Sequence, residues 1–327
     1  MKILLYMDAL TFMRGMTGGV RKYAQSIKDS LEDEGHVCDW FYDVPLESIK
    51  SYDVVHIFSS FYANLRFFKT AYSQLPIVIS PIYDPIIKSK ILIKGLLALS
   101  SLPGLSSNHG ARKEMVQKAD YVFTMSNFEK SRLTRDYDIK FDSKDAFFPT
   151  SYKDYGLHNR SKDLIFIGDI GNPRQNIKRL ISAISDTGLS LTLIGGCSDP
   201  KVQEFALKFN NVKCLGYVSE EKKLEELQKH KVYVMPAYTA GFGVGAVEAA
   251  EYGLVVVHTK FGGTSSYVNT PAIAINPYSK SEIRSACIKA IEGKSGGCLI
   301  ERSSKDISES LIEGYDKAIK QFYGRNV

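Results

Sequence analysis

Short apolar runs alternate with stretches of helical periodicity along most of the chain, and this alternation constrains the fold more than any other feature. The runs cover residues 3–7, 54–58, 77–79 and 121–125 in the first half, and 164–167, 191–194, 212–215, 232–235 and 254–257 in the second. Alternating strands and helices indicate parallel β/α units, and nearly continuous apolarity indicates strands covered on both faces. We therefore predict an α/β protein of two doubly wound, Rossmann-like domains that face one another across a cleft at their strand ends.

Two domains also suit the length of 327 residues. The segment 148–163 (FPTSYKDYGLHNRSKD) has no apolar period, so we place the boundary near Tyr155 and predict domains 1–155 and 156–307. Residues 308–327 are predicted to form a C-terminal helix that packs back towards the first domain. Its apolar face consists of Leu311, Ile312, Tyr315, Ile319 and Phe322.

Charge and cysteine content exclude several classes of protein. The 42 Lys and Arg exceed the 36 Asp and Glu by six, which is too small an excess to argue for nucleic acid but is compatible with phosphorylated ligands. The five cysteines lack C-x-x-C spacing and the histidines lack ligand spacing, so we expect neither disulfides nor a metal site. The first residues lack a secretory pattern, and we expect a cytoplasmic location.

The segment 235–252 (MPAYTAGFGVGAVEAAEY) carries the clearest chemical signal. Gly241, Gly243 and Gly245 follow an apolar strand and open a helix that contains Glu248. Glycines there leave backbone N–H groups bare at a helix N-terminus, which suits a phosphate, and Glu248 can accept hydrogen bonds from a ribose diol. The spacing alone leaves a second interpretation open: a tight loop for helix packing beside a solvated glutamate.

Together with its neighbours, this segment resembles the donor-site signature of family-4 retaining glycosyltransferases, which have the two-Rossmann GT-B fold. The similarity continues through weaker motifs whose order and spacing agree with the family over most of the chain. These are Gly18-Gly19-Val20, Tyr52 to His56, Ala119 to Ser126, Gly168, Pro173 to Asn176, Leu193 to Gly196, Leu215 to Val218, and Pro236 to Gly253 with Gly262-Gly263.

The resemblance implies retaining transfer from a UDP- or GDP-sugar to a glycan, lipid-linked or protein-linked acceptor, in polysaccharide or glycoconjugate biosynthesis. No metal and no cofactor besides the nucleotide-sugar co-substrate is implied. The ribose is assigned to Glu248 and the diphosphate to Arg174, whose guanidinium suits charge on a leaving phosphate. The other implied donor-binding residues are Gly18, Gly19, Gly168, Gln175, Asn176, Tyr217, Val218, Gly241, Phe242, Gly243 and Val244. The acceptor-side candidates are His56, Tyr83 and Asp84.

Four features depart from the family pattern, and one of them is Pro81-Ile82-Tyr83-Asp84 in place of the histidine common after the strand 77–79. Ala240 replaces the first of two glutamates in the donor motif, while Asp169 and Gln175 replace basic residues of the phosphate loop. Arg174 is then the main phosphate ligand. These departures keep a second hypothesis open, a non-catalytic GT-B subunit that binds glycans or supports a partner transferase. A sugar-nucleotide epimerase is a third hypothesis, which Ala240 disfavours. Reserve phosphate ligands are Lys178 and Arg179.

The segment 86–105 (IIKSKILIKGLLALSSLPGL) is apolar, but Lys88, Lys90 and Lys94 interrupt it, so it is not a transmembrane helix. Residues 85–140 contain ten Lys or Arg and five Asp or Glu. A basic, apolar helix suits docking onto an anionic membrane surface, whereas a core helix with snorkelling lysines is the alternative. We interpret Asp136-Tyr137-Asp138 as a solvated face rather than a metal motif.

Overall fold

The computed structural model describes residues 1–13, 19–84, 89–100, 102, 107–153, 160–293 and 297–325. Twelve strands lie within these ranges. In chain order they are β1 (Lys2–Tyr6), β2 (Val37–Trp40), β3 (Val54–Phe58), β4 (Ile77–Ser80), β5 (Tyr121–Thr124), β6 (Ser143–Asp145), β7 (Lys162–Ile167), β8 (Leu191–Ile194), β9 (Val212–Gly216), β10 (His230–Met235), β11 (Val255–Thr259) and β12 (Ile273–Ile275).

Helices separate most of these strands along the chain. In the described residues they are α1 (Ala9–Met13), α2 (Gly19–Asp33), α3 (Tyr62–Ala71), α4 (Lys90–Ser100), α5 (Asn108–Lys118), α6 (Asn127–Tyr137), α7 (Ile177–Ile184), α8 (Pro200–Ala206), α9 (Glu220–Lys229), α10 (Val244–Glu251), α11 (Lys280–Glu292) and α12 (Ser304–Arg325).

The chain forms two compact units. Unit 1 contains Met1–Pro149 and Arg302–Val327, and unit 2 contains Thr150–Glu301. Each holds one parallel sheet of six strands, ordered β2-β1-β3-β4-β5-β6 in unit 1 and β12-β11-β10-β7-β8-β9 in unit 2. The predicted α/β class with two Rossmann-like domains is therefore confirmed. The predicted boundary at Tyr155 lies outside the described residues.

The central strands are buried on both faces, as continuous apolarity predicts. All five residues of β3 and of β11 are buried. In unit 1 the core on one side of the sheet includes Val55, Ile57 and Ile79, and in unit 2 it includes Leu164, Val234 and Val257. Helices on both faces exclude water from these strands, so only their ends reach solvent.

The nine apolar runs all correspond to strands, but β2, β6 and β12 were not predicted. All three lie at the edge of a sheet. An edge strand has a neighbour on one side only and needs less apolar surface, so it is short and often polar. The β6 sequence Ser-Lys-Asp, with every residue half-buried, shows why hydrophobic periodicity did not indicate it.

The C-terminal helix α12 packs on unit 1, against α2 and the strands β3 to β6. The buried Tyr315 hydroxyl lies 2.9 Å from Nδ1 of His56, whose Nε2 lies 2.9 Å from the Ser80 hydroxyl. At the end of the helix, Arg325 donates to the Tyr72 carbonyl and pairs with Asp120 at 3.1 Å. These polar contacts hold α12 to strands that are far away in sequence.

Gly314 allows α12 to lie directly against the aromatic rings of β5. A Cβ at Gly314 would overlap the Phe123 ring and lie 2.8 Å from Cε1 of Tyr121. Overpacking of this kind costs about 1–3 kcal/mol. We therefore predict that Gly314→Ala lowers the urea midpoint of unfolding. Gly324→Ala is the matched control in the same helix, because a Cβ there meets nothing within 4 Å. Equal midpoints for the two variants would contradict this packing.

Candidate functional site

The order of strands in unit 2 sets the position of the candidate site. From β7 the chain proceeds to β8 and β9 on one side, and then to β10, β11 and β12 on the other. The connections therefore diverge between β7 and β10, and ligands of open parallel sheets bind at the carboxyl ends of such strands. The loops that follow are residues 168–176 after β7 and residues 236–243 after β10. We call the first the phosphate loop and the second the donor loop.

Arg174 connects these two loops. Its Nε donates to the Thr239 carbonyl at 3.0 Å, and the Tyr238 N–H donates to the Arg174 carbonyl at 2.9 Å. The Asn172 side chain accepts from the Arg174 N–H at 3.0 Å and so shapes the turn before it. Burial lowers the pKa of Arg174, yet a guanidinium stays charged in proteins. Arg174 therefore places a fixed positive charge near the carboxyl ends of β7 and β10, where the strand connections diverge.

Asn176 has a structural role that the sequence analysis did not predict. It is buried in the left-handed conformation, with φ of 60°. Its Nδ2 donates to the carbonyls of Pro236 and Pro277, at 3.0 and 2.8 Å. Both amide protons are therefore used inside unit 2, and the expectation that Asn176 binds phosphate through this amide is corrected. The reserve ligand Arg179 also donates to the Pro277 carbonyl, at 2.9 Å.

Asp169 joins the phosphate loop to the turn after β8. Its Oδ1 accepts from the backbone N–H groups of Gly171 and Ser198, at 3.0 and 2.9 Å. Burial would raise the pKa of the Asp169 carboxyl, but these hydrogen bonds hold it below its ordinary value. The residue that departs from the family pattern thus acts as an internal acceptor. Gly168 begins this loop with φ of 154°, and Gln175 lies half-buried near its end.

The donor loop leads into α10 through glycines. Gly243 precedes the helix with φ of 70°, and a Cβ there would lie 2.5 Å from the Thr264 hydroxyl. A Cβ on Gly245 would lie 2.6 Å from the Tyr233 hydroxyl. Side chains at these positions would therefore be strained or crowded, whereas glycine keeps the backbone N–H groups at the start of α10 accessible. The half-buried Gly241 and Val244 flank the buried Phe242 in this segment.

Glu248 lies one turn into α10 beside a buried lysine. Its Oε2 is 3.4 Å from Nζ of Lys223, which also pairs with Glu220 at 2.6 Å. Burial alone would lower the pKa of Lys223, but the two carboxylates raise it. Lys223 was not among the predicted site residues, although its spacing of three residues from Glu220 on a helix was an available signal.

The backbone of Ala240 is held in place by hydrogen bonds to residues 261–263. It forms a parallel bridge with Gly262, its N–H donates to the Phe261 carbonyl at 3.0 Å, and its carbonyl accepts from Gly263 at 3.2 Å. The methyl group is buried. The donor loop therefore keeps a fixed path at this position but presents no carboxylate there.

Tyr217 follows β9 at the same edge of the sheet and is 88% exposed. Its ring lies over Gly196, where an added Cβ would meet the hydroxyl at 2.5 Å. Val218 next to it is half-buried. An exposed aromatic face at a strand end is a suitable platform for a flat ring.

The predicted site residues of unit 1 differ in how accessible they are to a ligand. Gly18 lies outside the described residues, and Gly19 is the exposed first residue of α2. His56 is fully buried between Tyr315 and Ser80, and burial lowers its pKa to about 3. The expectation that His56 reaches an acceptor is therefore corrected, because neither ring nitrogen is available.

Tyr83 and Asp84 follow β4 at the carboxyl edge of the unit 1 sheet. The Tyr83 N–H donates to Oε1 of Glu129 at 2.6 Å, and Oε2 of Glu129 accepts from Met125 at 2.7 Å. The guanidinium of Arg112 lies over the Tyr83 ring at 4.6 Å. Burial raises the pKa of Glu129 to about 7, although both N–H groups and Arg112 oppose this. This cluster was not predicted, although the Ser126-x-x-Glu129 spacing of a helix start could have indicated it.

The interpretation of Asp136-Tyr137-Asp138 as a solvated face is wrong for its first two residues. Asp136 is fully buried and accepts from the Tyr83 hydroxyl at 2.8 Å. Its carboxylate also pairs with Arg132 and Arg135, at 2.9 and 2.6 Å. Only Asp138, which ends α6, is exposed.

The described part of the chain offers neither a metal cluster nor a membrane-spanning helix. No group of three or more His, Cys, Asp or Glu side chains there is arranged to hold a metal ion. No helix there combines the length and apolarity that crossing a bilayer requires.

Known proteins that are similar to parts of this chain are glycosyltransferases. Residues 161–293, within unit 2, match the family model described as Glycosyl transferases group 1. A stretch of 99 residues is 31% identical to the uncharacterized glycosyltransferase MJ1178 of Methanocaldococcus jannaschii. That match covers 29% of this chain and only 28% of the relative.

Solved structures resemble the whole chain at low sequence identity. Sucrose-phosphate synthase from Thermosynechococcus elongatus has a TM-score of 0.67 at 16% identity, covering 99% of this chain and 98% of that one. HepE of Anabaena, solved in complex with UDP, has a TM-score of 0.64 at 15% identity, covering 100% and 99%. The lipopolysaccharide outer core galactosyltransferase WaaB has a TM-score of 0.65 at 14% identity, covering 99% and 98%. The GT-B fold is thereby established.

Glu129 makes the stability of unit 1 depend on pH. Its pKa is raised from 4.5 to about 7 in the folded protein, so its contribution is complete below about pH 4.5 and is lost as pH rises through about 7. We predict that Glu129→Gln reduces the loss of stability between about pH 5 and pH 8, by about 1 kcal/mol per pH unit at most. Urea unfolding across this range measures the difference.

Glu114→Gln is the control for this prediction, because Glu114 on α5 is a partly exposed carboxylate with its pKa lowered by Lys118 and Lys69 against the effect of burial. It should keep the wild-type slope between pH 5 and pH 8. An unchanged slope in Glu129→Gln would show that Glu129 is ionised in the folded state at pH 5.

Proposed function

We propose that the protein is a glycosyltransferase that moves a sugar, with retention of configuration and without a metal, from a UDP- or GDP-sugar to a glycan, lipid-linked or protein-linked acceptor. One observation carries the proposal: the residues that match the glycosyl transferases group 1 model include both loops that Arg174 connects at the divergence of the sheet. HepE, which has the same fold, was solved with UDP and with UDP-glucose. We infer that polysaccharide or glycoconjugate biosynthesis is the pathway.

Unit 2 supplies the groups that a nucleotide diphosphate requires. Arg174 binds the diphosphate, and the N–H groups of Gly243 and Val244 donate to its oxygens. The Glu248 carboxylate accepts from the ribose hydroxyls. The exposed ring of Tyr217 packs against the base, with Val218 beside it. Gly168, Gln175 and Gly241 shape the loops around these contacts.

The chemistry requires no protein nucleophile in this proposal. The bond between the sugar C1 and the diphosphate oxygen breaks while the acceptor oxygen bonds to C1 from the same face. The proton of the acceptor hydroxyl passes to an oxygen of the leaving diphosphate, which therefore acts as the base. Arg174 and the loop amides stabilise the negative charge that develops on the leaving group, so catalysis consists of positioning and electrostatics.

The acceptor-side candidates in unit 1 are Tyr83 and Asp84. Contacts to Glu129 and Asp136 fix the Tyr83 backbone and hydroxyl, so this segment has a defined path at the carboxyl edge of the sheet. His56 is no longer a candidate.

A second candidate is a non-catalytic GT-B subunit that binds glycans or supports a partner transferase. The observation that favours it is Ala240, a buried methyl group at a pinned position where the family pattern has a glutamate. Release of sugar from a panel of UDP- and GDP-sugars, with and without acceptor glycans, separates the two candidates. Nucleotide-sugar binding with no turnover towards any acceptor would favour the second.

The assignment of Arg174 predicts a loss of nucleotide affinity on substitution. Arg174→Ala should weaken binding of UDP or GDP by about 1.5–3 kcal/mol, because a charge-assisted contact to the diphosphate is lost. Isothermal titration calorimetry measures the change. The matched control is Arg284→Ala, which removes a half-exposed arginine of α11 that pairs with Asp186. Unchanged affinity in Arg174→Ala would refute the assignment, and a wild type that binds no nucleotide would refute the transferase.

Lys223 is predicted to position the Glu248 carboxylate for the ribose. Lys223→Met should raise the KM for the donor about fivefold, the equivalent of roughly 1 kcal/mol, and leave kcat nearly unchanged. Lys223→Arg should restore most of the KM because the cation returns. The neighbouring Lys222→Met is the control, since Lys222 pairs with Glu225 and Glu226 instead. A parallel fall in kcat, or no rescue by arginine, would indicate a purely structural role.

A further inference from the structure

Helix α4 presents an apolar face to solvent. Ile91 is 84% exposed, Leu92 53% and Leu99 54%, and Leu102, shortly after the helix, is 51% exposed. At about 100° per residue, Ile91, Leu92 and Leu99 fall within an arc of about 100° around the helix axis. We call these four residues the outer face of α4. Contiguous exposed apolar side chains mark an interaction surface, whereas single ones need no explanation.

The opposite side of α4 holds the helix in place. Ile93 is fully buried and Leu97 packs against the unit 1 core. The helix contacts both α5 and α6. The alternative of a core helix with snorkelling lysines therefore describes only one face of α4, because the other face exposes apolar residues. Residues 86–88, 101 and 103–105 of the predicted segment lie outside the described residues.

Two lysines lie beside the outer face. Lys90 and Lys94 are 40% and 56% exposed, and both approach the Asp138 carboxylate, at 3.9 and 3.8 Å. One carboxylate against two ammonium groups leaves a net positive charge. Of the other basic residues counted over 85–140, Arg132 and Arg135 pair with the buried Asp136, so their charges are partly offset.

We propose that the outer face of α4 docks on an anionic lipid bilayer, with the four apolar side chains in the headgroup region and Lys90 and Lys94 against the lipid phosphates. Exposed apolar side chains next to cations match this interface in both polarity and charge. A second copy of the chain fits less well. Four side chains are far fewer than the 20–30 residues a side of a standard interface, and a twofold contact would bring the lysines of both copies together. This proposal does not depend on the transferase proposal, because lipid binding requires no turnover.

Sedimentation with vesicles tests the proposal on the full chain. Wild type should bind vesicles of equal parts phosphatidylcholine and phosphatidylglycerol, and bind pure phosphatidylcholine vesicles much less. A variant with Ile91→Asn and Leu99→Asn should bind the anionic vesicles at least about tenfold more weakly. A variant with Lys90→Gln and Lys94→Gln should also lose about tenfold, and high salt should reproduce that loss.

Two controls match these variants in chemistry and exposure. Leu207→Asn removes a leucine of unit 2 that is 67% exposed. The pair Lys305→Gln and Lys317→Gln removes two α12 lysines that are 68% and 56% exposed, each within 4.0 Å of a carboxylate. Both controls should bind vesicles like wild type, and circular dichroism verifies that all variants fold.

Three outcomes would overturn the proposal. The first is a wild type that stays in the supernatant with anionic vesicles. The second is equal binding by wild type and the Ile91→Asn, Leu99→Asn variant. The third is self-association in analytical ultracentrifugation that this variant abolishes, because the outer face would then be an interface between two copies of the chain.

Discussion

Parallel strands whose two faces are both covered by helices are the constraint on which the rest of the structure depends. Such a sheet has no solvent-exposed face, so water and ligands reach it only at the strand ends and the connecting loops. In unit 2 the phosphate loop, the donor loop and the segment after β9 all leave the same edge. Residues separated by more than sixty positions, such as Arg174 and Thr239, are therefore hydrogen-bonded neighbours at 3.0 Å.

Much of this arrangement could be predicted from the sequence, and the omissions have one physical cause. A strand covered on both faces must be apolar throughout, so runs such as 232–235 indicate strands without ambiguity. Edge strands meet a weaker requirement, so β6 is polar and β12 has only three residues. Of the four edge strands, only β9 was predicted. In the same way the apolar residues of α4 indicated a helix, but not that Ile93 would be buried while Ile91 faces solvent.

The candidate site was harder to predict, because a polar residue type does not reveal whether its hydrogen bonds are made inside the protein. Asn176 and His56 suited a ligand by chemistry, yet each uses its polar atoms on internal partners. Buried polar groups are almost always satisfied in this way. Their partners, Ser80, Pro236, Pro277 and Tyr315, are 24 to 259 positions away in the chain. No local pattern could have identified these pairs.

These internal uses of polar side chains limit which groups of unit 2 remain for the diphosphate of the proposed donor. Arg174 is the only basic residue in the sequence of the phosphate loop, residues 168–176, and Asp169 adds a negative charge to that loop. One Asp169 oxygen accepts hydrogen bonds from the backbone N–H groups of Gly171 and Ser198. These bonds shape the loop, but the carboxylate makes the electrostatic potential of the loop less positive. In the proposed transferase, the diphosphate is recognised by the Arg174 guanidinium and by backbone N–H groups held by glycine. Neutral, preorganised donors bind an anion through their geometry, whereas lysines bind it through net charge. The contribution of the backbone donors is therefore less sensitive to salt than that of a cluster of lysines.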